Sequence, residues 1–376
     1  MPAPSAFLAE RHARVRAQVR ELGLDGLIVS HGPNVQYLTN HAATAGLLLL
    51  TGEAIHLLSD FRYAEAVARL QASAHACPGL VPHAVPASYD EALVNLLADL
   101  GFQRVGFEAA HLSVARFEWL RRTIESRTLR LDLSSTERVV ERVRTIKDPW
   151  ELGALRESAA RIAPVAEAAV GAVRPGIPER RLAGVIEQAL RDAGFERAAF
   201  DTIVASGPNS ALPHYRAGDR CLQPGDLVVL DFGGVLDGYC CDLTRTVAVG
   251  AVGAEAGRVY QAVRDAQAAA IDAVRPGILA SDVDGAARAV LEDRGLGKAF
   301  GHGTGHGLGL EVHEEPRVGR AQPGLPAAVL EPGMVFTIEP GAYLPGWGGV
   351  RIEDDVRVTK DGCDVLTSVT RDLLIR

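Results

Sequence analysis

The stretch that decides the fold is Asp231–Thr246, DFGGVLDGYCCDLTRT. It follows an apolar run, Leu227-Val228-Val229-Leu230, that reads as a buried strand. Such a strand has no reason to end on a carboxylate unless something positive meets it. Asp242 comes eleven residues after Asp231, beyond a Gly-Gly-x-x-x-Gly pattern, Gly233-Gly234 to Gly238, that reads as the turn between two strands. Two neighbouring strands, each with an aspartate facing one cavity, predict a site for a pair of metal ions.

Working outward, the hexapeptide AVRPGI occurs at residues 172–177 and again at 273–278. Each copy precedes a predicted helix, the first ending near Gly194, the second capped by Ser281 and ending at Gly295. Further on, LQPGDLVVLDFGG at 222–234 aligns with LEPGMVFTIEPGA at 330–342, which sets Asp231 on Glu339. A second strand then carries Asp242 in one half and Glu353 in the other. The chain after residue 140 therefore reads as two similar halves, each delivering one acid from each of two strands. Halves facing each other across a pseudo-twofold axis bring four carboxylates together. Unpaired, these would raise one another's pKa values and neutralise. Two divalent cations resolve the conflict.

The second half also carries GHGTGHGLGLEVHEEP at 301–316. His302 and His306 have equal parity, so an extended strand would show both on one face. The stretch is not a phosphate loop, because G-x-G-x-x-G and the Walker pattern are absent. H-E-x-x-H and G-x-S-x-G are absent too. Hard oxygen ligands with one imidazole suit Mn²⁺, Co²⁺ or Fe²⁺ better than a thiolate-rich zinc site. Two such ions roughly 3.5–4 Å apart lower the pKa of a shared water and polarise a carbonyl. That is the chemistry of metal-assisted hydrolysis, and a peptide or amide bond is its natural target.

Composition narrows the classes. The 376 residues are 47% hydrophobic and 23% charged, enough for a large core and two domains. A net charge of −8 with scattered basic residues argues against nucleic acid as a partner. No apolar run reaches the roughly 18 residues needed to cross a bilayer. The start, MPAPSAFLAERHARVRAQVRELG, reads as a charged helix without the apolar centre of a signal peptide. The five cysteines show no C-x-x-C spacing, and a reduced, cytoplasmic setting is expected.

Before residue 134, strands and helices alternate as in an α/β unit. A helix over 5–22 is followed by the strand DGLIVS, a loop HGPNVQYLTN at 31–40, and a hairpin turning at Thr51-Gly52-Glu53. Helices at 63–74 and 88–100, the strand RVGFE and the helical pattern HLSVARFEWLRRTI complete it. His31, His41, His56, His75, His83 and His111 share no spacing that suggests a site. Asp60 reads as a helix cap. Ser134-Ser135-Thr136 breaks the apolar pattern, and Asp148-Pro149-Trp150-Glu151 is a capping box opening a helix. The expected domains are 1–133 and 134–376.

The motifs DFG, GYCCDLTRT, TGHGLGLEVHE, TIEPG and GVRIEDD occur in that order between residues 231 and 355. With them the chain resembles the pita-bread metallopeptidases, and within these the Xaa-Pro group: prolidase (Xaa-Pro dipeptidase) and aminopeptidase P. The resemblance implies an α+β fold, with a pita-bread catalytic domain of pseudo-twofold halves preceded by a creatinase-like N-terminal α/β domain. It implies Asp231, Asp242, His306, Glu339 and Glu353 as the five ligands of two metal ions, with Asp242 and Glu353 bridging. It implies Glu339 as proton acceptor for the bridging water and His214 as a substrate-side histidine. His313 would contact the scissile carbonyl or its oxyanion, and His302 would line the pocket. Arg351 would support the carboxylates and contact substrate.

The implied function is hydrolysis of Xaa-Pro bonds in small peptides with proline second, by a homodimer loaded with Mn²⁺ (Co²⁺, Fe²⁺ or Zn²⁺ being alternatives). Dipeptidase action is the first expectation and aminopeptidase P action the second; a non-catalytic binding or scaffold protein on the same fold is the reading from another class. A creatinase-like first domain argues against methionine aminopeptidase, and intact ligands argue against creatinase. The stretch after Tyr37-Leu38-Thr39, NHAATAG, departs from the glycine-rich, aromatic wording of the family.

Overall fold

The structure is a computed structural model that describes residues 2–324 and 327–376. The chain forms two compact units, Met1–Arg144 and Thr145–Arg376.

The first unit is built on six strands: β1 (Gly26–Val29), β2 (Leu47–Thr51), β3 (Ile55–Ser59), β4 (Leu80–Ala84), β5 (Arg104–Glu108) and β6 (Asp132–Thr136). They lie in the order β4-β3-β2-β1-β5-β6. The β1–β2 and β2–β3 pairs are antiparallel and the others parallel. Every residue of β1, β2 and β3 is buried, as near-continuous apolar runs require of a sheet covered on both faces. Its helices are α1 (Ser5–Glu21), α2 (Gly32–Thr39), α3 (Phe61–Gln71), α4 (Tyr89–Leu100), α5 (Val114–Ser126) and α6 (Val139–Thr145). Leu93 and Leu97 of α4 and Leu120 of α5 share a core with Ile28, Leu47, Leu49 and Leu58. Asp60 caps α3, accepting from the Arg62 amide.

Two expectations are corrected here. Residues 31–40 are not a loop. Pro33 fits the first turn of α2 and Asn40, at φ 61°, closes it. Residues 132–136 are a strand paired with β5, and the division falls at Arg144 rather than residue 133. Ser134 and Ser135 break the apolar pattern because β6 is the edge of the sheet, where polar residues are usual.

The second unit repeats one plan twice. Its first half has α7 (Pro149–Ala172) and α8 (Glu179–Asp192) against β7 (Arg197–Ala198), β8 (Ile203–Ser206), β9 (Leu227–Leu236) and β10 (Tyr239–Ala248). Asp148 and Glu151 form the expected capping box on α7. Its second half has α9 (Ala254–Ala273) and α10 (Ala280–Asp293) with β11 (Gly305–Gly307), β12 (Glu314–Val318), β13 (Val335–Ile338), β14 (Gly341–Leu344), β15 (Gly348–Arg351), β16 (Asp354–Val358) and β17 (Cys363–Val365). Strand β9 pairs with β7, β8 and β10; the second half makes a sheet in the order β12-β11-β13-β16-β17, with β14–β15 as a separate pair. Each half has its own core, one including Ile162, Leu182, Leu230 and Leu243, the other Val263, Val283, Phe336 and Val356.

The two AVRPGI copies do the same work. Each follows the last turn of a long helix, and Gly176 (φ 83°) and Gly277 (φ 88°) take the left-handed backbone that glycine allows. The Gly176 amide donates to Leu222 O and the Gly277 amide to Leu330 O, both at 2.8 Å. Leu222 and Leu330 are the residues the alignment superimposes. One detail differs from expectation: the cap of α10 is Leu279, whose amide donates to the Asp282 carboxylate, so Ser281 lies inside the first turn.

Candidate metal centre

Strands β9 and β10 form a ten-by-ten antiparallel ladder in which Asp231 opposes Thr244 and Asp242 opposes Gly233. Opposed residues share a face, and residues two apart on one strand share it too, so Asp231, Thr244 and Asp242 point the same way. The turn between the strands is only Asp237-Gly238, both at positive φ, the form that suits a two-residue hairpin. Gly233 and Gly234, expected in that turn, lie within β9. A Cβ on Gly233 would stand 2.1 Å from the Cys241 carbonyl oxygen, so glycine is what lets the strands close beside Asp242.

In the second half both strands break at the acids. Glu339 sits between β13 and β14, and Glu353 between β15 and β16. The breaks are held from both sides. Glu339 N donates to Thr304 O at 2.7 Å, and Glu353 N donates to Thr244 O at 3.1 Å. Arg245 donates to Glu353 O and pairs with Asp354, both buried. Asp242 N donates to Asp355 Oδ2 at 3.1 Å. Thr244 Oγ1 donates to Glu353 Oε2 at 2.6 Å and accepts from Arg351 Nε at 3.2 Å. Arg351 also donates to Asp231 Oδ2 and, at 2.8 Å, to the Tyr343 hydroxyl.

The imidazoles are placed less evenly than parity suggests. Strand β11 is three residues long and carries His306 but does not reach His302. His306 Nδ1 is 3.1 Å from Gly307 O, and its Nε2 lies 3.6 Å from Glu339 Oε1 and 3.9 Å from Asp242 Oδ2. Burial, with His313 adding to it, lowers the His306 pKa to about 4, so the ring is neutral at pH 7. Donating Nδ1–H to the carbonyl leaves the Nε2 lone pair facing the carboxylates, the form that binds a metal. The His313 ring packs edge-on against His306 at 4.3 Å, and its pKa is lowered by burial and by His214. His302 Nε2 lies 2.9 Å from the Tyr343 hydroxyl. Burial lowers its pKa to about 4. His214 is exposed, one residue after Pro213, whose carbonyl accepts from Arg351.

The acids repel one another. Burial first, then Glu353, Asp231, Asp355 and Glu339, push the Asp242 carboxyl well above its usual range. Burial and Glu353 do the same to Glu339, while burial and Asp231 push Glu353 up to about 8. Burial opposes the charge on Arg351, but Tyr343, Asp231 and Glu339 outweigh it and hold the guanidinium charged. Asp231 Oδ1, Asp242 Oδ1, Glu353 Oε1 and Asp355 Oδ1 are buried without any hydrogen-bond partner. A buried, unpartnered carboxylate oxygen is costly. One ligand atom each from Asp242, His306 and Glu353 lies within 4.8 Å of the others, the one such group among the described residues. Orphaned hard oxygens around a neutral imidazole fit a divalent cation.

Several contributors escape the sequence reading. Thr244 and Asp355 each follow an acid by two residues, Asp242 and Glu353, so strand parity could have found them. Arg245, Tyr343 and Thr304 act through contacts made by distant segments, and no local signal marks them.

Two duplicated halves with buried acids and one metal-ready imidazole define a metal-binding hydrolase class. Comparison with known proteins supplies the family. Metallopeptidase family M24 matches residues 153–360, and the Creatinase/Prolidase N-terminal domain matches residues 11–146. The chain is 36% identical over 354 residues to the Xaa-Pro dipeptidase of Pyrococcus horikoshii, covering 93% of this chain and 95% of that protein. Its fold is similar to that of the Xaa-Pro dipeptidase from Bacillus anthracis, with TM-score 0.91 and 34% identity over 98% of this chain and 100% of the other. It is also similar to the X-Pro aminopeptidase from Thermotoga maritima, with TM-score 0.85 and 29% identity over 96% and 100%. The chain belongs to metallopeptidase family M24, with a creatinase-type N-terminal domain before the pita-bread unit. The activity the family's description gives is that of a metallopeptidase. No helix among the described residues is long and apolar enough to cross a membrane.

Proposed function

We propose that the protein is a dinuclear Xaa-Pro dipeptidase. The observation that carries this is the set of buried, unpartnered carboxylate oxygens beside the neutral His306. Asp231, Asp242, His306, Glu339 and Glu353 would hold two divalent ions, Mn²⁺ first among them. Bound there, the ions supply a water of lowered pKa and polarise the scissile carbonyl. Glu339 would accept the proton that this water gives up and pass it to the leaving proline nitrogen. His313 donates a hydrogen bond to the carbonyl oxygen as negative charge builds on it. His214 orients the proline side of the substrate, and His302 walls its pocket. Arg351 fixes the Asp231 carboxylate through its guanidinium and keeps the Tyr343 hydroxyl in place.

The similarity to the Thermotoga maritima aminopeptidase favours a second reading, cleavage of longer peptides with proline second. Purified protein loaded with Mn²⁺, Co²⁺ or Zn²⁺ and offered Ala-Pro and Ala-Pro-Ala separates the two. Dipeptidase action predicts rapid hydrolysis of Ala-Pro only; rapid cleavage of the tripeptide transfers the assignment to the aminopeptidase. Absence of bound metal together with no cleavage under any ion would leave a binding protein on the same fold.

A further inference from the structure

Glu179, the first residue of α8, is fully buried and forms no ion pair among the described residues. A carboxyl group so placed is costly unless donors meet its oxygens. The donors come from the two ends of one loop. The Ser206 amide and hydroxyl donate to Oε1 at 2.8 and 2.6 Å. The Gly218 amide donates to Oε2 at 3.3 Å. Asn209 Nδ2 reaches both oxygens, at 3.0 and 3.2 Å. One side chain therefore closes the segment 206–218 on itself, and that segment carries His214.

The second half shows that the helix-and-strand frame does not require this acid. Glu179 stands three residues after Gly176, and its amide donates to Arg220 O at 3.0 Å. Ala280 stands three residues after Gly277, and its amide donates to Ala328 O at 2.8 Å. The two acceptors each lie two residues before Leu222 and Leu330, so Glu179 and Ala280 are counterparts in the repeat. A buried alanine serves at that point in the second half. The glutamate belongs to the loop, not to the frame.

His214 depends on that loop. It is exposed and makes no hydrogen bond of its own among the described residues, so its backbone sets its place. Its neighbours are fixed on either side. The Pro213 carbonyl accepts from Arg351 Nη1 at 3.3 Å. The Tyr215 hydroxyl accepts from Asn209 Nδ2 at 2.9 Å, and its ring packs on Ile203, Ala205 and Val229. Ser210 Oγ accepts from the Gly349 amide at 2.7 Å, which ties the loop to the strand that carries Arg351. We propose that Glu179 is a positioning residue: by closing the 206–218 loop it fixes His214 against the proline side of the substrate. This rests on the peptidase reading above, in which His214 orients the substrate.

Metal-loaded Glu179→Gln tests it. Glutamine fills the same space but replaces one acceptor oxygen with a donor, so one end of the loop loses its anchor. Amide hydrogen exchange should rise within 207–218 and stay unchanged in β9 and β10. Metal content by elemental analysis should stay at the wild-type level. On Ala-Pro or Ala-Pro-Ala, whichever is cleaved, kcat/KM should fall on the order of tenfold to 10²-fold, with KM raised. A general loosening of the fold would remove active molecules and lower kcat alone. His214→Ala is the reference: its loss should be at least as large, and adding Glu179→Gln to it should cost no further activity. Additive losses, an unchanged KM or unchanged exchange within 207–218 each overturn the proposal. Should Glu179→Gln fail to fold, Asn209→Ala, at the half-buried side of the clasp, must reproduce both the exchange and the coupling to His214→Ala. Full activity in His214→Ala overturns the proposal at the histidine rather than at the clasp. If the wild type cleaves no peptide under any ion, the peptidase reading has failed. The exchange result then stands alone: a rise within 207–218 supports the clasp, and no rise rejects it.

Discussion

Burial and the neighbouring Asp231 push the Glu353 carboxyl from 4.5 up to about 8, and the consequence can be measured without substrate. A carboxyl with a higher pKa in the folded chain holds its proton more tightly there than in the unfolded chain. Its stabilising contribution is complete below about 4.5 and is lost as pH rises through about 8. His302 and His306, lowered to about 4, act with the opposite sign: their contribution is complete above 6.5 and is lost as pH falls through about 4. The two effects overlap below 6.5. Between pH 6.5 and 8 only the carboxyl effect remains, so the Tm of chelated protein should fall across that window. Added Mn²⁺ should abolish the fall by favouring the ionised acids; a flat profile in chelator would remove the crowding argument. Asp242→Ala should cut activity by roughly three orders of magnitude and lower the metal content found by elemental analysis. His313→Ala should lower kcat on the order of 10²-fold with metal retained. Loss of metal in that variant would move His313 from the carbonyl to the ion. At this scale the acids were legible because a carboxylate closing an apolar strand is expensive. Tyr343 was not, since its hydroxyl finds His302 and Arg351 only after three segments converge.

At the scale of elements, the strands of the second half run closer together than side chains allow. A Cβ on Gly305 would stand 1.8 Å from the Thr337 carbonyl oxygen, and one on Gly307 would stand 2.1 Å from that of Glu315. Both obstacles are backbone, which cannot swing aside. Gly305→Ala should therefore part β11 from β13 and destabilise the protein by about 1–3 kcal/mol. Because His306 is the next residue, the same change should weaken Mn²⁺ binding, which titration calorimetry would read; unchanged affinity would separate the strand packing from the metal centre. The glycine-rich wording of 301–309 signalled close approach in the sequence, but not which strand approaches. Likewise the 31–40 segment looked like a loop because Gly32-Pro33 and Asn40 are turn formers. The same residues start and stop a helix when a buried face of Val35, Tyr37 and Leu38 lies between them. Only packing decides between the two.

For the molecule as a whole, the duplication was readable from six identical residues and one aligned strand, and the paired Gly-to-Leu hydrogen bonds are its physical trace. The division of the chain was harder to place, because an edge strand rich in serine looks like a linker. A homodimer is implied by the resemblance to the Xaa-Pro group. Light scattering should return twice the chain mass, and a monomer would exclude any contribution of a second copy to the pocket.

The unequal halves also decide how much of this site could be moved to another scaffold. The first half offers both aspartates on one unbroken hairpin, with a two-residue turn and one glycine where the strands must close. The second half needs two separate sheets to terminate at the same point, each break tied down by threonine or arginine from elsewhere. A designer could transplant residues 227–248 as a single ribbon and keep the spacing of its acids. Glu339 and Glu353 have no such portable form, and any graft would have to rebuild the neighbourhood that stops their strands.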